Sequence, residues 1–225
     1  MILTFDLDDT LYEERLFVES GLRAVAQYGA KTYGLSKDTS YSRMLQLLDE
    51  KGRGHIFDIW LSDHGLLSRS RVLQCVKVYR HHKPDITLPP QHRELLENFK
   101  KFGPIYLVTD GHKIAQQRKI VALNISDMFT RVLITHRFGL KHAKPSLHCF
   151  DIIRRSNKVH WNQILYVGDN PAKDFVNLNK MGATTVRVRT GPHAQSEARP
   201  GFDAKYHILC FSELLPLLQK LGILR

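Results

Sequence analysis

The first twelve residues constrain the fold of this chain more than any other segment. Residues 1–5 are almost entirely apolar, and the run ends abruptly in acidic residues that include Asp6 and Asp8. Residues two apart in an extended strand point to the same side, so these two carboxylates would share one side of the chain. Open parallel sheets bind ligands at the carboxyl ends of their strands. The segment therefore predicts a buried strand that brings two carboxylates to a functional site.

Three later segments place further polar residues after apolar runs or before an amphipathic stretch. The apolar runs 104–108 and 164–167 both end in polar residues, and a lysine–proline pair precedes the amphipathic stretch that begins at residue 146. The candidate site residues of these segments are Thr109, Asp110, Gly111, Lys144, Asp169 and Asp174. Because neighbouring parallel strands end at the same edge of a sheet, we expect these residues to meet around Asp6.

The spacing of apolar residues divides the chain into two kinds of structure. Residues 13–88 carry only helical periodicity, whereas strand-like runs alternate with helical stretches from residue 90 onward. This alternation predicts a parallel sheet with helices on both faces. We therefore expect an α/β protein with a Rossmann-like, doubly wound core of residues 1–12 and 89–225. A small all-helical domain, residues 13–88, is inserted after the first strand.

Two local expectations concern the last third of the chain. The spacing predicts a helix over residues 172–181 that is closed by Gly182, and two prolines predict a loop over residues 190–200. Arg187 and Arg189 form one of the few local groupings of positive charge. We interpret them as part of a solvated basic surface.

The charge balance favours anionic substrates over a nucleic-acid partner. The 225 residues carry a formal net charge of +11 at pH 7. The cationic residues are scattered and form no stripe interleaved with aromatic residues, which argues against nucleic-acid binding. A basic surface would still favour the approach of a phosphate ester. No apolar run approaches the roughly 20 residues that a membrane span needs, so we expect no membrane partner.

The cysteines and the N-terminus indicate a cytoplasmic protein. Cys75, Cys149 and Cys210 lie far apart and form neither a CxxC pair nor a zinc spacing, so we interpret them as single buried thiols. Unpaired thiols are the default of a reducing compartment. The predicted first strand begins at the N-terminus and leaves no room for a signal peptide.

Taken in order, the four segments resemble the motifs of the haloacid-dehalogenase-like (HAD) hydrolase superfamily. That family's pattern is DxDxT, a Thr or Ser after the second strand, a Lys, and a paired-acid GDxxxD or GDxxxxD. The resemblance runs from Asp6 to Asp174. It implies that the helical insert is a type-1 cap, as in the capped phosphatases of this superfamily.

The resemblance also implies roles for the acidic residues. Asp6 would be the nucleophile that forms an aspartyl-phosphate. Asp8 would protonate the leaving alcohol and then activate water, with Thr10 holding the loop and orienting Asp8. Mg²⁺ would be held by Asp6, the backbone carbonyl of Asp8, and Asp169, with Asp174 assisting directly or through water.

The phosphoryl group would be bound by the second and third motifs. Thr109 would offer its hydroxyl, and backbone N–H groups near Asp110 and Gly111 would add donors. Lys144 would supply positive charge to the phosphate and to the clustered carboxylates.

Asp110 departs from the family pattern, which has Asn at this place. A carboxylate beside a phosphate pocket is repulsive unless it points away or pairs with a cation. His112 and Lys113 are the basic residues nearest in sequence. The residue could tune the choice of substrate or only cap the following helix.

The leading functional hypothesis is a Mg²⁺-dependent phosphatase acting on a small phosphorylated metabolite. A sugar phosphate, phosphoglycolate and a nucleoside 5′-monophosphate all stay open as substrates. The alternatives are a phosphomutase or a 2-haloacid dehalogenase of the same superfamily, or a non-catalytic protein that binds phosphate or nucleic acid. We expect a monomer or a homodimer.

Overall fold

The structure, a computed structural model, describes residues 1–224. The chain forms two compact units. One comprises residues 1–14 and 87–225, and the other comprises residues 15–86. Within the described residues, no helix is both long enough and apolar enough to cross a membrane.

The larger unit is built on a six-stranded sheet in which every neighbouring pair is parallel. Its strands are β1 (Ile2–Phe5), β2 (Ile105–Thr109), β3 (Arg131–Ile134), β4 (Ile164–Gly168), β5 (Thr184–Val188) and β6 (Tyr206–Ile208). Its helices are α5 (Pro90–Phe102), α6 (Lys113–Ala122), α7 (His148–Asn157), α8 (Val176–Lys180) and α9 (Leu214–Lys220). Strands buried on both faces read as continuous apolar runs, as β2 and β4 do here. The predicted α/β class is confirmed.

Aromatic side chains cover the two faces of the sheet. On one face Phe5 stacks on Phe99, with ring centroids 5.9 Å apart, and meets the edge of Phe211 at 5.8 Å. On the other face Tyr166 packs edge-on against Phe150, with centroids 4.9 Å apart. This double coverage fixes β1 and β4 in the centre of the core.

The strand order places the predicted site at a switch point of the sheet. The order is β3-β2-β1-β4-β5-β6, so the chain winds outward from β1 in one direction and then from β4 in the other. Phe5 pairs with Leu107 on one side and with Val167 on the other. The ends of β1, β2 and β4 are therefore neighbours, and a crevice for ligands lies where the winding reverses.

The smaller unit is entirely helical, as its periodicity predicts. Its helices are α1 (Glu14–Tyr33, of which all but the first residue belong to this unit), α2 (Lys37–Lys51), α3 (Ile56–Asp63) and α4 (Arg69–His81). Ser36 and Ser68 cap α2 and α4, each accepting a hydrogen bond from a backbone N–H of the first turn. Trp60 is fully buried in the core of this unit. A Cβ at Gly29 would lie 2.7 Å from the Trp60 ring, so glycine lets the indole pack directly on the α1 backbone.

The predicted helix over residues 172–181 is wrong for its first half. Helix α8 covers only Val176–Lys180. Before it the chain turns tightly around Asn170, whose side-chain oxygen accepts a hydrogen bond from the N–H of Ala172 at 2.9 Å. The backbone N–H of Asn170 in turn donates to the carboxylate of Asp174 at 2.9 Å. Asn and Asp side chains compete with the helix by bonding nearby backbone in this way.

Two expectations about exposure are also wrong. Cys210 is exposed, whereas Cys75 and Cys149 are buried as predicted. Arg187 is fully buried and does not belong to the basic surface. Its guanidinium donates to the carbonyls of His193 and Ser196 at 2.6 and 2.8 Å.

A buried arginine therefore fastens the loop that follows β5. Arg187 also pairs with Asp203 at the far end of this loop, with Nη1 3.2 Å from Oδ1. Removing the guanidinium removes these bonds to a charged donor, each worth about 1.5–3 kcal/mol, although the His193 carbonyl also accepts from the N–H of Ser196 at 3.1 Å.

We expect Arg187→Ala to lower the free energy of unfolding by about 2–4 kcal/mol and to speed proteolytic cleavage within residues 190–203. Arg189→Ala is the matched control, because Arg189 donates to the Ala194 carbonyl at a long 3.4 Å. Denaturant titration and limited proteolysis of both variants check this. Equal effects of the two substitutions would contradict the anchoring role.

Candidate active site

Three carboxylates meet beyond the ends of β1 and β4. Asp6, Asp169 and Asp174 each offer an oxygen, and these oxygens all lie within 4.8 Å of one another. All three residues are buried. Gly168 makes room for this arrangement, because a Cβ there would lie 2.7 Å from Oδ2 of Asp174. The structure thus brings together three of the four predicted acids.

Lys144 lies among these carboxylates and is itself buried. Its Nζ is 2.9 Å from Oδ2 of Asp6 and 2.7 Å from Oδ1 of Asp174. The same ammonium donates to the hydroxyl of Tyr166 at 2.8 Å, and that hydroxyl donates to Asp174 at 3.3 Å. Burying a lysine is costly unless it is paired and hydrogen-bonded, and this lysine has three partners.

One lysine does not offset three buried carboxylates. Burial, opposed by Lys144 and reinforced by Asp174, raises the pKa of Asp6 to about 7. Burial and the neighbouring Asp174 and Asp6 raise the pKa of Asp169 to about 9. Burial would also raise the pKa of Asp174, but attraction to Lys144 and Lys173 and two hydrogen bonds leave it below its usual value. The site is short of positive charge.

The donor set fits a hard divalent cation. Oδ1 of Asp6 is buried and accepts no hydrogen bond within the described part of the chain. Clustered carboxylate oxygens are the ligands that Mg²⁺ prefers. A cation bound by Asp6, Asp169 and Asp174 would supply the missing positive charge and a partner for this oxygen.

The carboxylate of Asp8 is held by a separate set of donors. Its Oδ1 accepts from the hydroxyl of Tyr12 at 2.8 Å and from Nζ of Lys119 at 2.7 Å. Its Oδ2 accepts from the side-chain amide of Gln116 at 2.9 Å. The Asp8 side chain is 17% exposed, so it stays accessible at the site while these bonds fix its direction.

Thr10, in the turn after Asp8, is buried without a hydrogen bond to the Asp8 carboxylate. Thr10 is buried, and its hydroxyl forms no hydrogen bond within residues 1–224. Asp9 adopts a left-handed conformation with φ of 52°, and its carboxylate accepts from the N–H of Glu14 at 2.9 Å. The hydroxyl of Thr190 donates to the Asp9 carbonyl. The expected contact by which Thr10 orients Asp8 is therefore made by other residues.

Thr109 ends β2 and is fully buried beside Asp8. Its hydroxyl oxygen accepts from the amide of Gln116 at 2.5 Å. Gly111 follows with φ of 133°, a conformation that favours glycine, and a Cβ there would lie 3.1 Å from the Gln116 side chain. The absence of a side chain at Gly111 therefore lets the Gln116 side chain of α6 pack against the end of β2.

The carboxylate of Asp110 is hydrogen-bonded within the protein and pairs with a cation. Its Oδ1 accepts from the hydroxyl of Thr135 at 2.6 Å and from the backbone N–H of Lys144 at 3.1 Å. Its Oδ2 is 3.6 Å from Nζ of Lys173, a residue of the fourth motif. The carboxylate thus joins three motifs through bonds within the protein.

Sequence reasoning missed several residues that contact the predicted ones: Tyr12, Gln116, Lys119, Tyr166 and Lys173. Gln116 and Lys119 did leave a signal, because polar residues three apart share one helix face and α6 buries that face. Tyr166 lies inside an apolar strand, where its hydroxyl gave no hint of a polar partner.

The model of the haloacid dehalogenase-like hydrolase family matches residues 3–188 of the chain. The chain belongs to this family. The glyceraldehyde 3-phosphate phosphatase of Methanopyrus kandleri is 30% identical over 231 residues, which cover 97% of each chain.

Solved structures of the family share the fold. The HAD hydrolase YfnB from Bacillus subtilis, in a structure bound to magnesium, superposes with a TM-score of 0.70 at 18% identity and covers 96% of this chain and 97% of its own. A 2-haloacid dehalogenase from Pseudomonas syringae gives a TM-score of 0.65 at 21% identity, with 98% of each chain covered. At these identities the likeness describes the fold alone.

We expect Lys144→Met to make the free energy of unfolding fall more steeply with rising pH than in the wild-type protein. Asp6 and Asp169 already have raised pKa values. Without the ammonium, Asp174 also loses the attraction that keeps its pKa low, so the folded state holds a further proton that the unfolded state has released. Stability then falls as pH rises, by about 1.4 kcal/mol per pH unit for each such proton. Denaturant unfolding at pH 5 and pH 7 in EDTA measures this.

Lys173→Met is the matched control. The Lys173 side chain is 33% exposed and lies 3.6 Å from Asp110, so its removal should steepen the pH dependence less. A Lys144→Met protein whose stability follows the wild-type pH curve would contradict the charge balance described above.

Proposed function

We propose that the protein is a Mg²⁺-dependent phosphatase that hydrolyses a small phosphorylated metabolite through an aspartyl-phosphate on Asp6. The observation that carries this proposal is the arrangement of Asp6, Asp169 and Asp174 around the ammonium of Lys144. The hydroxyl of Thr109 and the carboxylate of Asp8 both accept from the side-chain amide of Gln116.

The relatives support a sugar phosphate as the substrate class. The enzymes of Methanopyrus kandleri and Methanocaldococcus jannaschii that match this chain over 97% of its length are both glyceraldehyde 3-phosphate phosphatases. We therefore propose glyceraldehyde 3-phosphate or a similarly short phosphorylated sugar ahead of phosphoglycolate and nucleoside 5′-monophosphates.

In the first step Asp6 attacks the phosphorus atom and the bond to the leaving oxygen breaks. Asp8 donates a proton to that oxygen, so the product leaves as a neutral alcohol. Lys144 and the hydroxyl of Thr109 stabilise the negative charge on the phosphoryl oxygens, which is the main catalytic task in phosphoryl transfer. Backbone N–H groups at Asp110 and Gly111 add donors there.

In the second step water attacks the phosphorus of the aspartyl-phosphate. Asp8, now ionised, removes a proton from that water, and the carboxylate of Asp6 is regenerated as phosphate leaves. When bound, Mg²⁺ would offset the charge of the phosphoryl oxygens and of the carboxylates that hold it, namely Asp6, Asp169 and Asp174, with the backbone carbonyl of Asp8 as a further ligand.

The carboxylate cluster favours a phosphatase over a 2-haloacid dehalogenase. A dehalogenase attacks carbon with its aspartate and needs no cation to neutralise a phosphoryl group. Asp169 and Asp174 would then crowd the nucleophile with like charge and serve no purpose in the reaction. A phosphomutase would use the same groups and is separated from a phosphatase by whether phosphate is released.

Three further features belong to the proposal. Residues 15–86 would serve as a cap, and the protein would act in the cytoplasm as a monomer or homodimer on a small metabolite.

We expect the wild-type protein to release phosphate from glyceraldehyde 3-phosphate in the presence of Mg²⁺ and to stop when EDTA is added. Asp6→Asn removes the nucleophile and should lower the rate to below about one thousandth. Phosphate release across a panel of sugar phosphates, phosphoglycolate and nucleoside 5′-monophosphates measures both effects and ranks the substrates.

Asp127→Asn is the control, because Asp127 is an exposed acid in the short helix before β3. It should retain wild-type activity. Phosphate release that continues in EDTA or in the Asp6→Asn variant would remove the proposal, and so would silence across the whole panel from folded protein.

A further inference from the structure

Helix α6 buries a lysine and a glutamine on the face where an amphipathic helix usually buries apolar residues. Its four buried residues are Ala115, Gln116, Lys119 and Ile120. Gln116 and Lys119 are each 2% exposed. Placing an ammonium group in the interior is expensive unless charged partners meet it there.

Both side chains end on the carboxylate of Asp8. Nζ of Lys119 lies 2.7 Å from Oδ1 of Asp8 and 2.8 Å from Oε1 of Glu14, so it joins two carboxylates. Nε2 of Gln116 donates to Oδ2 of Asp8 at 2.9 Å and to the hydroxyl of Thr109 at 2.5 Å. The two residues therefore bind different oxygens of the same carboxylate.

Contacts at both oxygens determine the orientation of a carboxylate. Lys119 and the hydroxyl of Tyr12 both bind Oδ1 of Asp8, and neither holds Oδ2. Gln116 binds Oδ2 and so restrains rotation of the carboxylate about its terminal torsion. Gln116 also ties the direction of the carboxylate to Thr109, the hydroxyl proposed to bind the phosphoryl group.

We propose that Lys119 and Gln116 are positioning residues that hold the Asp8 carboxylate in line for proton transfer to the leaving oxygen. The inference rests on the proposed phosphatase function and adds the residues that orient Asp8, its general acid. Misplacing a reacting group by an ångström costs up to about 100-fold in rate, so the loss of either contact should be visible in kinetics.

The test compares two classes of ester. An alkyl phosphate needs its leaving oxygen protonated. The leaving group of 4-nitrophenyl phosphate is a stable phenolate that departs without a proton. The value of kcat/KM reports the steps up to transfer of the phosphoryl group to Asp6. We expect Lys119→Met and Gln116→Met to lower kcat/KM for glyceraldehyde 3-phosphate by about 100-fold and to change it little for 4-nitrophenyl phosphate.

Three further variants separate positioning from support of the fold. Lys119→Arg keeps the charge and should restore most of the alkyl-ester rate. Adding Lys119→Met to Asp8→Asn should cause no further loss, because the residue acts through Asp8. Gln117→Ala is the matched control on α6, since the Gln117 side chain bonds the exposed Arg137 and not Asp8.

Crystal structures of Lys119→Met and Gln117→Ala supply a readout that does not need activity. We expect the Asp8 carboxylate to shift toward its remaining partners, Tyr12 and Gln116, in the first variant and to keep its place in the second. If wild-type protein hydrolyses neither ester, the phosphatase proposal fails, and the position of Asp8 in these structures still decides the positioning proposal. Equal losses on both esters, or an Asp8 carboxylate that does not move in Lys119→Met, would overturn it.

Discussion

The ammonium of Lys144 is the interaction on which the functional end of the sheet depends. Two buried carboxylates, those of Asp6 and Asp174, lie within 2.9 Å of it. Burying any of these charges without its partner would cost a large desolvation free energy. The balance is incomplete, because Asp169 adds a third acid to the cluster. That residual negative charge makes the site suited to a divalent cation and, through it, to a phosphate ester.

The topology of the sheet explains why these groups meet although they are far apart in the chain. β1 lies between β2 and β4, so the residues after three strands face one crevice. The bonds of Asp110 link the second motif to Lys144 and Lys173 of the third and fourth motifs. The bonds of Gln116 link Asp8 of the first motif to Thr109 of the second. The site is therefore held as one network, in which moving one motif disturbs the others.

The residues that follow strands could be predicted from the sequence, and those that reach the site from helices could not. Asp6, Thr109 and Asp169 each end an apolar run, and parallel strands place such residues side by side. The spacing of Gln116 and Lys119 marks one face of α6, but the role of Lys119 depends on which element that face contacts, and the spacing does not give this. Arg187 was misjudged for the same reason: an arginine in a strand reads as exposed until its loop folds over it.

The central claim is that Asp6 carries the phosphoryl group during turnover, and chemical trapping tests it most directly. Borohydride reduces an aspartyl-phosphate to homoserine, and mass spectrometry of the digested protein locates the reduced residue. Our account predicts homoserine at position 6 when substrate and Mg²⁺ are present during quenching, and none without substrate. Phosphate release with the reduced residue at another aspartate, or with no reduced residue, would contradict it.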